Sequence, residues 1–387
     1  MQTDFDLIVI GAGCAGLSLG MQLASLHTQT PKTLFLESRT TYENDRTWCF
    51  WGDEQTPFAT LARQSWNRFS VTNGVRSQII DCTPTPYRML SAADFYTQAV
   101  DTIKSHTALS LRMGSALTAE PSFAKGTWFL QTTVGSFSTK AIVDTRPRPT
   151  DQMPDTTLWQ SFLGCELEFQ EPYFDSKSAQ LMDFYQANQA FVGFIYVLPV
   201  STTRALVEFT VFAPRVFEHA ELLGYLETQV AKLAGDRPYK SHRIEYGLIP
   251  MGLSRAAHEA EDIESQPSYV RVGLTAGAAR PATGYAFQRI QRWAGACIQA
   301  LTTNGLPVGH REDSFVLRKM DAIFLNVLRE HPELGPELFM RLFSKVSSPK
   351  LIRFLSDQGS ASDYLSVIMA LPSGLFIKSA YQLAMKK

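Results

Sequence analysis

The 387-residue sequence predicts a mixed α/β (α+β) fold: a nucleotide-binding domain interrupted by an antiparallel-sheet domain and followed by a helical C-terminal region. Three observations predict it. A strand, a glycine-rich turn, a helix and a second strand succeed one another within the first 40 residues. Long strand-like segments fill the middle of the chain. A short apolar strand, a glycine-rich loop and a helix then return between Val270 and Leu301. A parallel sheet begun, left and completed in this order implies discontinuous domains. The nucleotide-binding domain is expected at 1–58, 87–157 and 253–310, the substrate domain at 59–86 and 158–252, and the helical region at 311–387.

Each element has a local reason. Asp6–Ile10 and Thr33–Leu36 are short apolar runs, the first met at once by glycines and the second ending at Glu37, so both read as buried strands. Leu17–Leu26 between them has helical character. Trp66–Val71 and Ser77–Asp81 flank Asn73-Gly74, the strongest short-range hairpin signal. Ser91–Ile103 reads as a helix with Ser91 as N-cap and Asp94 in its first turn. Trp128–Thr133, Ser136–Val143, Ala190–Leu198 and Ala205–Phe212 read as strands. Glu218–Leu233 is an amphipathic helix, Val270–Gly273 a short strand and Phe287–Leu301 another helix. From Asp313 onward the chain is mostly helical.

Composition bounds the function. With 45% apolar and 19% charged residues the chain is globular, not disordered. At about 150 residues per domain its length suits two or three domains. Basic and acidic residues number 36 and 37, so no cationic field for a nucleic-acid partner exists. Cys14, Cys49, Cys82, Cys165 and Cys297 are odd in number and lack CxxC spacing, which fits a reducing compartment. The seven histidines form neither an i,i+4 pair nor H-E-x-x-H, so no metal is expected. The start, MQTDFDLIVIGAG, lacks the basic region of a signal peptide. No uninterrupted apolar stretch approaches the roughly 18 residues that a spanning helix needs.

The most specific local motif is GAGCAG, Gly11 to Gly16, a complete G-x-G-x-x-G. Gly11 permits the tight turn, Gly13 lets backbone approach a pyrophosphate, and Gly16 lets helix and strand pack closely, with Ala12 and Ala15 also expected to contact the cofactor. The helix N-terminus offers free N–H groups to phosphate. Glu37 lies 21 residues beyond Gly16, placed for a ribose diol. The context is Rossmann-like, and the acid favours FAD or NAD over NADP. Gly16-Leu17-Ser18-Leu19-Gly20 also matches G-x-S-x-G, but Ser18 lies inside the helix and not on the sharp turn a nucleophile needs.

Further segments carry a resemblance. They are DRTWCFW (Asp45–Trp51), VDTRP (Val143–Pro147), LWQSFLG (Leu158–Gly164), LMDF (Leu181–Phe184), LVEFT (Leu206–Thr210), YGLIPMG (Tyr246–Gly252) and GLTAGAARPATGYAF (Gly273–Phe287). With the N-terminal turn, they resemble the bacterial flavin-dependent lycopene β-cyclases. The resemblance implies a fold like the geranylgeranyl-reductase and aromatic-hydroxylase flavoproteins. It implies FAD in its reduced state, with NAD(P)H as electron source, and an isomerisation that closes the ψ-ends of lycopene to β-rings. It also implies a cytoplasmic protein held peripherally at the inner membrane. Many relatives in the wider group carry Gly-Asp before the late helix, with the Asp on the flavin ribitol; here Leu274-Thr275 follows Gly273, and the ribitol contact stays open.

Protonating an alkene of a hydrocarbon asks for a carboxyl held neutral, electron density near the cation and exclusion of water. Glu208 is the candidate acid: Val207, Phe209 and Val211 form one apolar face, while Glu208 shares the other with Leu206, Thr210 and Phe212. The family's catalytic glutamate corresponds to it; the competing reading is a solvent-facing strand residue. Asp183 is a candidate to orient or re-deprotonate the site, or else a structural hydrogen-bonding residue. Trp48, Phe50, Trp51 and Tyr285 are candidates to line a substrate tunnel, or else core aromatics. Gly277, Pro281, Thr283 and Gly284 are expected in a flavin-contacting loop, and Arg88 on flavin phosphate. Leu365–Ile377 is apolar but broken by Pro372 and Gly374; it is expected either at a membrane surface or packed on the protein. Rival functions are a prenyl reductase or aromatic monooxygenase of the same fold, and a non-catalytic prenyl-binding escort. The ring type, β or ε, and the number of rings closed stay open.

Overall fold

The computed structural model describes residues 3–26, 30–150, 153, 155–184, 190–253 and 265–385, so every expected domain includes positions outside the described residues. The chain opens with β1 (Phe5–Ile10), α1 (Cys14–Ala24) and β2 (Thr33–Leu36). The two strands pair in parallel from Leu7↔Thr33 to Ile10↔Leu36. The helix begins at Cys14, three residues before the sequence reading, because the turn feeds directly into helical bonding: Leu17 N donates to Gly13 O. Next come β3 (Thr47–Trp51), β4 (Gln64–Trp66), β5 (Arg68–Thr72), β6 (Ser77–Asp81) and β7 (Tyr87–Ser91). The order β3–β7–β4 forms a small antiparallel sheet. β5 and β6 are the expected hairpin, with Gly74 at φ +80°, but Trp66 belongs to β4 in the small sheet. α2 (Ala92–Lys104) starts where the sequence placed it, Ser91 Oγ accepting from Asp94 N.

β8 (Leu109–Arg112), β9 (Ser122–Ala124), β10 (Thr127–Thr132) and β11 (Gly135–Asp144) complete most of the first sheet, in the order β8–β2–β1–β11–β10–β9. Leu7, Val9 and Val143 bury one face of it against α1 and α2, while Ile8, Ile10 and Trp128 bury the other.

The second large sheet uses β12 (Thr156–Phe169), β13 (Ser178–Phe184), β14 (Val192–Pro199), β15 (Arg204–Ala213) and, after α3 (His219–Ala234), β16 (Tyr239–Leu253). Its order is β16–β12–β15–β14–β13–β5–β6, so the early hairpin extends it by a parallel join of β5 to β13. β12 and β16 pair along almost their whole length, broken by one irregularity at Glu166/Leu167. β17 (Tyr269–Arg271) then returns to the first sheet beside β11, and α4 (Phe287–Asn304) packs on α1.

The chain ends in α5 (Phe315–Glu330), α6 (Gly335–Lys345), α7 (Ser348–Leu355), α8 (Ala361–Ala370) and α9 (Ser373–Met385). The second sheet lies between two layers. Val207, Phe209 and Val211 meet α3. Leu206, Phe212 and Phe194 on the other face join a core with Leu325, Phe339 and Phe343 of the C-terminal helices. Each such side chain contributes roughly 1.5–3 kcal/mol by leaving water. The face bearing Glu208 is therefore roofed by protein, where water would have kept a carboxyl charged.

Candidate functional site

The first part of the site is the turn after β1. Gly11 has φ +89°, and a Cβ there would lie 2.6 Å from Thr145 Oγ1. A Cβ on Gly16 would lie 2.2 Å from Gly11 O. Gly13 caps α1 with backbone alone, and nothing lies within 4 Å of the position its Cβ would take. The turn therefore leaves an open cradle at a helix N-terminus, the geometry that accepts a pyrophosphate. Buried Ala12 and Ala15 flank it. Ala12 N donates to Glu37 Oε2 at 2.9 Å, fixing the carboxylate beside the turn. Burial pushes the Glu37 carboxyl up, but Arg39, at 3.0 Å, outweighs burial and holds it below its ordinary value. Arg39 also reaches Asp45, which lines the cavity described next.

The second part is a cavity of about 170 Å³. Trp48, Tyr87, Phe162, Tyr196, Tyr285 and Phe287 give it an aromatic wall, and Glu208 and Glu245 line it as buried carboxyls. The sheet register explains their meeting. Tyr196 pairs with Glu208, Glu208 with Gly164, and Gly164 with Glu245, so one row across β14, β15, β12 and β16 carries all four on one face. A Cβ on Gly164 would lie 3.3 Å from Glu208 Cβ and 3.2 Å from Glu245 Cγ. Thr210 Oγ1 donates to Glu208 Oε1 at 2.9 Å. Burial raises the Glu208 pKa well above the ordinary carboxylate range, and the neighbouring Glu245 charge raises it further. Burial also raises Glu245, but there Arg243, at 2.6 Å, and Thr47, at 2.9 Å, work against it.

The structure sorts the remaining candidates. Trp48, Tyr285, Thr283 and Gly284 line this cavity. Phe50 and Trp51 do not. Phe50 stacks on Phe287 at 5.3 Å and Trp51 meets Tyr87 at a tilt, 4.7 Å between ring centres, each in a separate core beside the cavity. Asp183 lies on the opposite face of the sheet from Glu208. It pairs with Ile195, whereas Glu208 pairs with Tyr196, and adjacent strand residues face opposite ways. Its carboxyl is raised by burial and opposed by the charge of Lys232 on α3. Arg88 is buried and committed to the loop ahead of β4: its guanidinium donates to Gly52 O at 2.8 Å, Ser65 Oγ at 3.1 Å and Glu54 at 2.5 Å. Gly277 and Pro281 line a different cavity, next to His310.

Glu245, Gly164 and Tyr196 were not among the site residues expected from sequence. Gly164 only closed one motif, Glu245 fell just before another, which begins at Tyr246, and Tyr196 lay unremarked in the Ala190–Leu198 strand. The signal was the alternation of Cys165, Leu167 and Phe169 with Glu166 and Glu168, which marks a strand.

A glycine cradle on a parallel sheet, joined to a cavity on an antiparallel one, is the plan of a large class of known proteins. A geranylgeranyl bacteriochlorophyll reductase-like protein from Thermoplasma acidophilum shares the fold at TM-score 0.62 and 14% identity, over 97% of this chain and 98% of that one. The halogenase PltM, crystallised as a variant with FAD, does so at TM-score 0.59 and 12% identity, over 99% and 92%. Within that class the sequence is more specific. The chain belongs to the lycopene cyclase family, whose model, described as lycopene cyclase protein, matches residues 6–381. The lycopene beta-cyclase of Pseudescherichia vulneris is 25% identical over 290 residues, 72% of this chain and 70% of that protein. The protein is thus an enzyme of carotenoid cyclisation.

Proposed function

We propose that the enzyme is a lycopene β-cyclase, closing the ψ-ends of lycopene to give γ-carotene and then β-carotene, with reduced FAD bound. The observation that carries this reading is Glu208, a carboxyl whose protonated form is favoured by burial and which opens onto an aromatic cavity. Glu208 gives its proton to the terminal alkene, whose electron pair forms the new C–H bond and leaves a carbocation. The neighbouring alkene attacks that cation and forms the ring C–C bond. Ionised Glu208 then takes a proton from the carbon beside the new cation, and the ring double bond forms. One proton enters and one leaves, so no electrons are exchanged. The faces of Trp48, Tyr196 and Tyr285 stabilise cationic character by roughly 0.5–2 kcal/mol each.

The glycine cradle fits FAD: Gly11, Gly13 and Gly16 would hold its pyrophosphate and Glu37 its ribose. When bound and reduced, with NAD(P)H as the source of electrons, FAD supplies negative charge that favours the cation. Lycopene is far longer than the first cavity. Thr283 borders both that cavity and a second, apolar one of about 350 Å³ between Phe324, Phe339, Val367 and Phe376. The rest of the polyene is proposed to run past Thr283 into it. Leu365, Ile368, Met369, Ile377, Tyr381 and Met385 are exposed on α8 and α9 above this second cavity. They support a peripheral attachment to a membrane surface, which we take to be the cytoplasmic side of the inner membrane and from which lycopene would enter.

Expression in a lycopene-accumulating bacterium tests the reading. Wild type should convert lycopene to β-carotene, and Glu208→Gln should leave lycopene unchanged while still binding FAD. Unconverted lycopene beside folded, FAD-loaded wild type would replace this reading with the reductase or monooxygenase.

A further inference from the structure

We propose that Glu245 is a positioning residue that shares a single proton with Glu208 and keeps it on Glu208, across a gap that only glycine at position 164 leaves open. The inference rests on reading Glu208 as the acid and adds the group that makes it one.

Three observations support it. First, the register sets Glu208, Gly164 and Glu245 in one row on adjacent strands. A side chain at Gly164 would stand between the two carboxyl-bearing chains, 3.3 Å from one and 3.2 Å from the other. Second, both carboxyls are buried and line the same cavity, where the charge of Glu245 raises Glu208. Two carboxylates in such a place repel, so one holds a proton. Third, the surroundings are asymmetric. Arg243 and Thr47 both bond Glu245 Oε2, and Thr47 is itself held by Arg243. Glu208 has the neutral Thr210 hydroxyl. The charge therefore rests on Glu245 and the proton on Glu208.

The other ionisable groups nearby agree with this assignment. Glu166 on β12 is charge-paired with Arg63, Arg204 and Arg243. Tyr87 on β7 is buried, and Tyr196 on β14, Cys49 on β3 and Tyr285 before α4 are partly buried; loss of water raises each, so all stay neutral. Asp45 and Arg46, which also line the cavity, pair with each other.

The arrangement also closes the reaction cycle. When Glu208 gives its proton to the alkene, two adjacent carboxylates remain. Their repulsion makes Glu208 a stronger base than an isolated carboxylate, which favours recovery of a proton from the cyclised cation.

The test follows the shared proton directly. In the FAD-loaded protein, infrared difference spectroscopy during alkaline titration reads the buried protonated carboxyl, and lycopene conversion is measured over the same pH range. Glu208→Gln should remove the band. Glu245→Gln should keep it but shift its titration, and the alkaline limb of the rate profile, to lower pH by about one unit or more. Glu245→Asp, which retains the charge, should lie nearer wild type. Gly164→Ala, which forces the carboxyls apart, should shift the limb in the same direction as Glu245→Gln. An unshifted titration in both Glu245→Gln and Gly164→Ala, whatever their rates, would overturn the proposal, as would a band that survives Glu208→Gln. If lycopene proves not to be the substrate, the spectroscopic arm still decides the pair, and only the cyclase reading fails.

Discussion

Glu208 is buried, and its chemistry and its contribution to stability share that cause. Its pKa is higher in the folded protein than in the unfolded chain, first through burial and then through Glu245. The sign follows. Stability tied to this group is complete below the unfolded pKa and falls as pH rises through the folded one, by about 1.4 kcal/mol per unit of displacement. Glu208→Gln cannot ionise, so it should unfold at the same urea concentration as wild type in acid and at a higher one in alkali. Asp183 supplies the contrasting case. Because it faces α3 and not the cavity, Asp183→Asn should leave β-carotene yield unchanged in the lycopene-accumulating host. At the turn, Glu37→Ala should lower the flavin absorbance of the purified protein, because it removes the acceptor fixed beside the cradle.

At the scale of elements, legibility tracked the range of the signal. β1, β2, the β5–β6 hairpin and the start of α2 announce themselves within a few residues, through apolar runs, Asn73-Gly74 and Ser91 with Asp94. β12 does not over most of its length, because both of its faces are covered and alternation shows only at Cys165–Phe169; β16 does not, because it is an edge strand whose first residues, Tyr239–His242, are exposed on both faces. Half of the site was hidden for the same reason. Glu208 betrays itself by standing among apolar neighbours, but only strand register brings residue 245 beside residue 208. The loop between β17 and α4 holds a second feature that sequence did not reveal. Arg280 is fully buried, donates to Asp321 at 3.2 and 3.1 Å and to Phe354 O, and lies over the Phe354 ring. It ties this loop to α5 and α7. Arg280→Met would leave the Asp321 carboxylate buried without its cation, so a loss of about 3–5 kcal/mol in urea unfolding is expected.

At the scale of the molecule, no single described helix is long and apolar enough to cross a membrane, and α8 and α9 meet at a bend of 109°. Their outward apolar side chains are the ones that the proposed membrane attachment would use. Replacing Leu365, Ile368 and Met369 together with Asp should move the protein out of the floating fraction in vesicle flotation, with FAD content unchanged. The second sheet draws on segments far apart in the chain: β5 and β6 from residues 68–81, its remaining strands from 156–253, and its roof from helices beginning at 315. A nascent chain leaves the ribosome in sequence order, and its domains fold as they emerge. The cradle's first strand, turn and helix are among the earliest parts to appear, whereas the chamber lacks part of its wall until Thr283–Phe287 have emerged. Glu208 therefore emerges, past the midpoint of the chain, as an ordinary wet carboxylate and becomes an acid only when Thr283–Phe287 close the wall around it.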